Sequence, residues 1–92
     1  MAALSGKSAI VTGASRGIGA ATAREMAAQG ASVLRAARTA SEIDDVAKEI
    51  TDAGGKAEAM VVDVADTAQV TAAVDRAVTA FGGLDILVQN AG

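Results

Sequence analysis

Short apolar runs alternate along this chain with longer segments in which apolar residues recur every three or four positions. Ser8 to Thr12 has the continuous small and branched character of a strand buried on both faces. Gly13 to Gly19 is a glycine-rich turn. Ile18 to Gln29 then has helical spacing, with Gly30 placed to stop it. Ser32 to Ala37 predicts a second strand. Ser41 is expected as the N-cap of the next helix, with Asp44 complementing its positive end. That helix carries Ile43, Val46, Ala47 and Ile50 on one face and ends at Gly54-Gly55.

The pattern then repeats. Ala57 to Val62 predicts a third strand. Asp66 is expected to cap a third helix, with Gln69 in the reciprocal capping position. Its apolar stripe is Val70, Ala73, Val74, Ala77, Val78 and Phe81. Gly82-Gly83 interrupts the chain before a fourth strand, Leu84 to Val88. Short apolar strands joined by helices imply parallel pairing through right-handed crossovers, an α/β fold. There is no repeat beyond the strand–helix unit, no low-complexity tract and no linker.

Composition narrows the chemistry. The chain has 92 residues, enough for one small domain, with 51% hydrophobic residues but a single aromatic, Phe81. Much of the apolar content is alanine, which fills little volume and lets helices lie close to a sheet. The net charge of −3 argues against general affinity for nucleic acid. With no cysteine and no histidine, a disulfide, a thiol nucleophile, the commonest metal ligand and the commonest general base are all excluded. No apolar run approaches the roughly 18–20 residues of a membrane span, and no secretory leader pattern is present at the N-terminus. A cytoplasmic setting is therefore expected.

The glycine-rich turn is the strongest chemical signal. Thr12-Gly13-Ala14-Ser15-Arg16-Gly17-Ile18-Gly19 follows the first strand and opens a helix. A helix start offers unpaired N–H groups and a positive dipole end to phosphate. Glycines there permit a tight turn and close approach of a phosphate. The spacing is Gly-x-x-x-Gly-x-Gly, neither the commoner Gly-x-Gly-x-x-Gly nor a P-loop. Three glycines serving only a tight turn is the competing explanation, and the surrounding strand–helix units favour dinucleotide binding. A flavodoxin-like or receiver module fits less well, since its acidic cluster is not visible.

The motif Thr12-Gly13-x-x-x-Gly17-x-Gly19 resembles the cofactor motif of the short-chain dehydrogenase/reductase family, classical subgroup. Asp63-Val64 resembles that family's adenine-contacting pair. Asn90-Ala91-Gly92 resembles its Asn-Ala-Gly motif. The resemblance covers essentially the whole chain. It implies a Rossmann-like four-stranded parallel sheet in the order 3-2-1-4 with three helices, half of a doubly wound fold. It makes residues 1–92 a truncated dinucleotide-binding domain. The expected cofactor-binding residues are Gly13, Ser15, Arg16, Gly17, Ile18 and Gly19, with Arg38, Asp63, Val64, Asn90, Ala91 and Gly92.

Arg38 stands after the second strand, where family members that prefer NAD usually carry an acid. An arginine there suits a 2′-phosphate, so NADP(H) is expected over NAD. Arg16 offers a second cationic contact. Each position also has a plainer explanation: Arg38 as a solvated strand-end arginine, Asp63 as a turn cap, Asn90 as a turn residue.

The family's catalytic serine, tyrosine and lysine lie downstream of Asn-Ala-Gly. This chain has no tyrosine, and Lys7, Lys48 and Lys56 match no catalytic position, so no catalytic residue and no metal site are assigned. The chain is expected to be the cofactor-binding front part of a carbonyl/alcohol oxidoreductase, catalytically incompetent by itself. In the implied strand order the fourth strand becomes an open edge, from which a homodimer is expected. The alternative function is a minimal Rossmann-like half that folds and self-associates without binding cofactor.

Two residues depart from the family pattern. Gln89 stands where a first asparagine is common, which bears on contacts that tie the central strands. Arg35 falls inside the second strand. Its head is expected to reach solvent or a carboxylate, on a sheet face left uncovered.

Overall fold

In the computed structural model, residues 3–12, 18–37, 40–63 and 65–89 are described. The elements run β1 (Ser8–Thr12), α1 (Ile18–Ala28), β2 (Ser32–Ala37), α2 (Ala40–Asp52), β3 (Ala57–Val61), α3 (Thr67–Phe81) and β4 (Ile86–Gln89). All pairings are parallel, and the four strands lie in the order β3-β2-β1-β4. The α/β architecture and strand order expected from the sequence are therefore present. Several element ends differ by a residue or two. Ser41 lies inside the first turn of α2 rather than before it. β4 starts later than expected, because Leu84 packs onto the core and pairing with β1 begins only at Ile86 opposite Ala9.

Helices cover both faces of the sheet. On one side, Ala20 and Ala23 of α1 and Val46 and Ile50 of α2 pack on Val11 and Val33. On the other, Ala73 and Ala77 of α3 pack on Ile10, Leu34, Ala36 and Val62. Alanine at the contact points lets each helix sit close to the strands, so the single-aromatic composition still closes a core. The β1 and β2 positions are almost wholly buried, as expected of central parallel strands.

Glycines terminate the helices in the left-handed region. At Gly30 (φ 97°) the Ala31 and Gly30 amides bond the Met26 and Ala27 carbonyls, and at Gly54 (φ 94°) the Gly55 and Gly54 amides bond Ile50 and Thr51 in the same way. The helices on the first face are also clamped across their outer surface. Arg24 of α1 donates to both carboxylate oxygens of Glu49 in α2, at 2.7 and 3.2 Å. That hydrogen-bonded pair raises the pKa of Arg24 and lowers that of Glu49.

Two expectations need correction. Arg35 is not on an uncovered face: its exposure is 0%. Its register partners are Val11 and Ala59, and Val33 precedes it by two residues, so it projects into the layer beneath α1 and α2. Both helices cross β2 there, which makes the middle of β2 a closely covered part of the sheet. Burial lowers the Arg35 pKa first, and the positive charge of Arg24 lowers it further. Arg35 is not without an interaction partner.

Val78, counted in the apolar stripe of α3, is 46% exposed. Arg76 reaches across to Glu58 of β3 at 2.9 Å, which fixes that flank of α3 toward β3. The opposite flank, bearing Val74 and Val78, faces the β4 side, where the sheet ends. Leu87 of β4 pairs with Ile10 and therefore lies on this same side, 52% exposed. The uncovered apolar surface is thus at β4, on the α3 face.

Candidate cofactor site

In an open parallel sheet, ligands bind outside the carboxyl ends of the strands, where the chain order reverses direction. Here that reversal lies between β1 and β4. The sheet grows from β1 to β2 and β3 in one direction, then continues at β4 on the other side of β1. In the chain, the sequence-predicted residues follow the carboxyl ends of these strands. The Gly13–Gly19 turn joins the end of β1 to the start of α1. Arg38 follows β2, Asp63 and Val64 follow β3, and Asn90 to Gly92 follow β4.

Gly13, Ser15, Arg16, Gly17, Arg38, Val64, Asn90, Ala91 and Gly92 lie outside the described residues. Ile18 is the first residue of α1, and Gly19, one position on, is buried. The first turn of α1 holds no acidic side chain. Nothing there opposes the positive end of the helix, and this fits an anionic phosphate.

Thr12 ends β1, and its hydroxyl donates to the Val88 carbonyl at 3.3 Å. This bond ties the two strands flanking the reversal point. At the other end of the same pair, the Ser8 amide donates to the Asp85 carboxylate at 2.9 Å. Gln89 pairs in register with Thr12, so the position that departs from the family pattern sits at this same edge.

Asp63 is the most fully described polar residue of the site. Its carboxylate oxygen Oδ1 accepts from the Ala65 amide at 2.9 Å, an Asx turn. The other oxygen has no hydrogen-bond partner among the described residues, and the side chain is exposed. The turn role and the ligand role weighed for Asp63 are thus compatible, since each uses a different oxygen. Asp66 caps α3 as expected, with Oδ1 accepting from the Ala68 and Gln69 amides at 3.0 and 3.4 Å. Gln69, however, does not close the box on the Asp66 amide. That amide donates instead to the Asp63 carbonyl, and the Gln69 side-chain oxygen accepts from the Asp63 amide at 2.8 Å. Nothing in the sequence signalled this reach; the spacing alone pointed to a bond three residues later.

A cleft of about 640 Å³ lies at the other end of the sheet, between the carboxyl ends of α1 and α2, and includes Gly30, Ser32, Gly54 and Lys56. It lies at the opposite end of the sheet from the carboxyl ends of the strands, where ligands of such sheets bind. Among the described residues there is no cluster of metal-ligating side chains, and no helix is long and apolar enough to cross a membrane.

Four parallel strands in this order, covered on both faces and with a glycine-rich sequence between β1 and α1, define a Rossmann-type scaffold. The sequence model of the short chain dehydrogenases matches residues 7–92, and the chain belongs to that family of oxidoreductases. It is 50% identical to hydroxysteroid dehydrogenase-like protein 2 of Xenopus laevis over 95 residues, covering 96% of this chain and 23% of that protein. The crystal structure of a hydroxysteroid dehydrogenase from Escherichia coli superposes with a TM-score of 0.92 at 42% identity, over 97% of this chain and 38% of that one. A metagenomic short-chain oxidoreductase in complex with NADP gives a TM-score of 0.87 at 45% identity, over 97% of this chain and 40% of its own. The chain therefore spans between 23% and 40% of the length of these relatives.

Proposed function

We propose that this chain supplies the dinucleotide-binding part of an oxidoreductase acting on carbonyl or alcohol substrates, and that its cofactor is NADP(H) in preference to NAD. The observation that supports the proposal is the strand order: the glycine-rich segment, Arg38, Asp63 and Asn90 each follow the carboxyl end of one of four parallel strands and would share one edge of the sheet. Gly13, Gly17 and Gly19, with Ser15, Arg16 and Ile18, would surround the pyrophosphate at the start of α1. Arg38 would meet the 2′-phosphate, and Asp63 and Val64 the adenine. Asn90, Ala91 and Gly92 would line the path toward the nicotinamide. When bound, the cofactor supplies the hydride; this chain's own residues bind and orient it. The chain contains no tyrosine to serve as acid or base, so by itself it is expected to bind without turnover. The solved relative that holds NADP supports the choice of cofactor by likeness.

Calorimetric titration tests this. NADP⁺ should bind more tightly than NAD⁺, and Arg38→Ala should erase most of the difference. No heat with either nucleotide at millimolar concentration would sink the proposal. Equal affinities in the parent would leave binding but remove the role of Arg38.

A second reading is self-association through β4 into a homodimer. It is favoured by Leu87, which is 52% exposed beside an edge with no lysine or proline to block pairing. Light scattering should then give a dimer mass that Leu87→Lys returns to a monomer. A monomer mass for the parent at high concentration would defeat it. A cytoplasmic setting is proposed alongside, on the absence of cysteine, and cell fractionation would check it.

A further inference from the structure

We propose that Gln69 is a positioning residue for the adenine end of the cofactor site. It acts by holding the main chain of Asp63 so that one carboxylate oxygen is presented to the exocyclic amine of a purine. The inference rests on the cofactor reading given above and deepens it.

β3 leaves the sheet after Val61. The Val62 amide makes a last bond to β2, through the Ala37 carbonyl at 2.9 Å, and the Val62 side chain is buried at 2% exposure. Asp63, the next residue, has no strand beside it to take its amide. The Gln69 side-chain oxygen takes it instead, at 2.8 Å. The Asp63 carbonyl accepts from the Asp66 amide at 2.9 Å. Both main-chain groups of Asp63 are thereby bound, and its Oδ1 is bound to the Ala65 amide. These three bonds leave Oδ2 as the one acceptor of Asp63 not engaged by a described residue.

The orientation of the Gln69 amide is itself determined. Its nitrogen donates to Asp66 Oδ2 at 3.1 Å, while Asp66 Oδ1 is held by the first amides of α3. Turning the amide over would set an N–H against the Asp63 N–H and an oxygen against a carboxylate, so only one orientation satisfies both neighbours. The start of α3 thus fixes the loop after β3 through one side chain. A carboxylate fixed in this way accepts from an amine and repels a carbonyl oxygen at the same place. Adenine carries the amine; hypoxanthine carries the oxygen.

The test uses the 92-residue chain, NADP⁺ and nicotinamide hypoxanthine dinucleotide phosphate, with affinities from NMR titration and hydrogen exchange followed at the Asp63 amide. The parent should prefer NADP⁺ by about tenfold, the size of one hydrogen bond to a charged group. Gln69→Leu should reduce that preference to about threefold or less, weaken NADP⁺ binding, leave the hypoxanthine analogue almost unchanged, and speed exchange at Asp63. Gln69→Glu keeps an acceptor oxygen for the Asp63 amide but sets its other oxygen against the Asp66 carboxylate, so it should restore the preference and the slow exchange in part, to a level above Gln69→Leu. Gln69→Asn, one methylene too short, replaces the leucine variant if that chain does not fold.

An undiminished adenine preference in a folded Gln69→Leu or Gln69→Asn chain would overturn the proposal. So would a parent that binds NADP⁺ without preferring it to the hypoxanthine analogue, and this result would leave the cofactor reading standing. A parent that binds neither nucleotide would remove the cofactor reading, and the role of Gln69 with it.

Discussion

Replacing Arg35 by methionine should stabilise the protein. Arg35 is fully enclosed beneath α1 and α2, its pKa is lowered by burial, and Arg24 places a like charge near it. Enclosing a guanidinium costs several kcal/mol of hydration. Methionine keeps an unbranched stem that can follow the same path between Val11, Val33 and Ala59, and it adapts to irregular space. Replacing a whole buried ion pair by well-packed apolar groups is commonly neutral to stabilising by about 1–4 kcal/mol, and the like charge of Arg24 beside Arg35 favours that outcome over the cost of removing one partner of a pair.

For a domain of this size each kcal/mol moves the melting temperature by roughly 4–8 °C. Thermal and urea unfolding of the parent, Arg35→Met and Arg35→Ala would measure the effect. The alanine variant should fall below the methionine variant, because it loses the same charge and leaves a void as well. A methionine variant destabilised by more than about 1 kcal/mol would refute the reasoning, since the partners of Arg35 would then outweigh the desolvation of its head.

Further expectations concern turns, packing and pH. Gly55→Ala should be destabilising, because a Cβ there would stand 2.8 Å from Ile50 Cγ2 and 3.2 Å from the Ile50 carbonyl oxygen, and Ile50 is a core residue with little room to move; urea midpoints would show it. Asp66→Ala should cost about 1 kcal/mol through loss of the α3 cap, measurable in the same way. Ala77→Leu should cost about 1–3 kcal/mol, since Ala77 is fully buried where α3 meets the sheet. Glu49 has a folded-state pKa below its unfolded value, so its bond to Arg24 contributes fully above the ordinary glutamate range and is lost as pH falls through the lowered value. The stability difference between the parent and Glu49→Gln should therefore shrink on acidification, and it should be small at neutral pH because both side chains are about half exposed.

The strand–helix order, the helix stops and most of the apolar stripes of the helices were readable from spacing, because period and turn chemistry are local properties. What escaped was set by packing between elements. Arg35 looked like a strand residue that could reach water, yet two helices cross above it. Val78 fits the helical period of α3, yet α3 lies over β1 and β2 and leaves that flank uncovered. Gln69 had the right spacing for a capping box, but its amide reached the strand end upstream because the Asp63 amide had no sheet partner. The site was legible as an ordered set of motifs, whereas the contact that organises Asp63 was visible only in three dimensions.

The central claim is that the carboxyl edge of the sheet holds NADP(H). A two-dimensional NMR titration of the chain with NADP⁺ tests it most directly. The account predicts saturable shifts at Thr12, Gly19, Asp63 and Ala65, with Gly30, Gly54 and Lys56 at the opposite end unmoved. A dispersed spectrum that ignores NADP⁺, or shifts confined to the cleft at Gly30, Gly54 and Lys56, would contradict it.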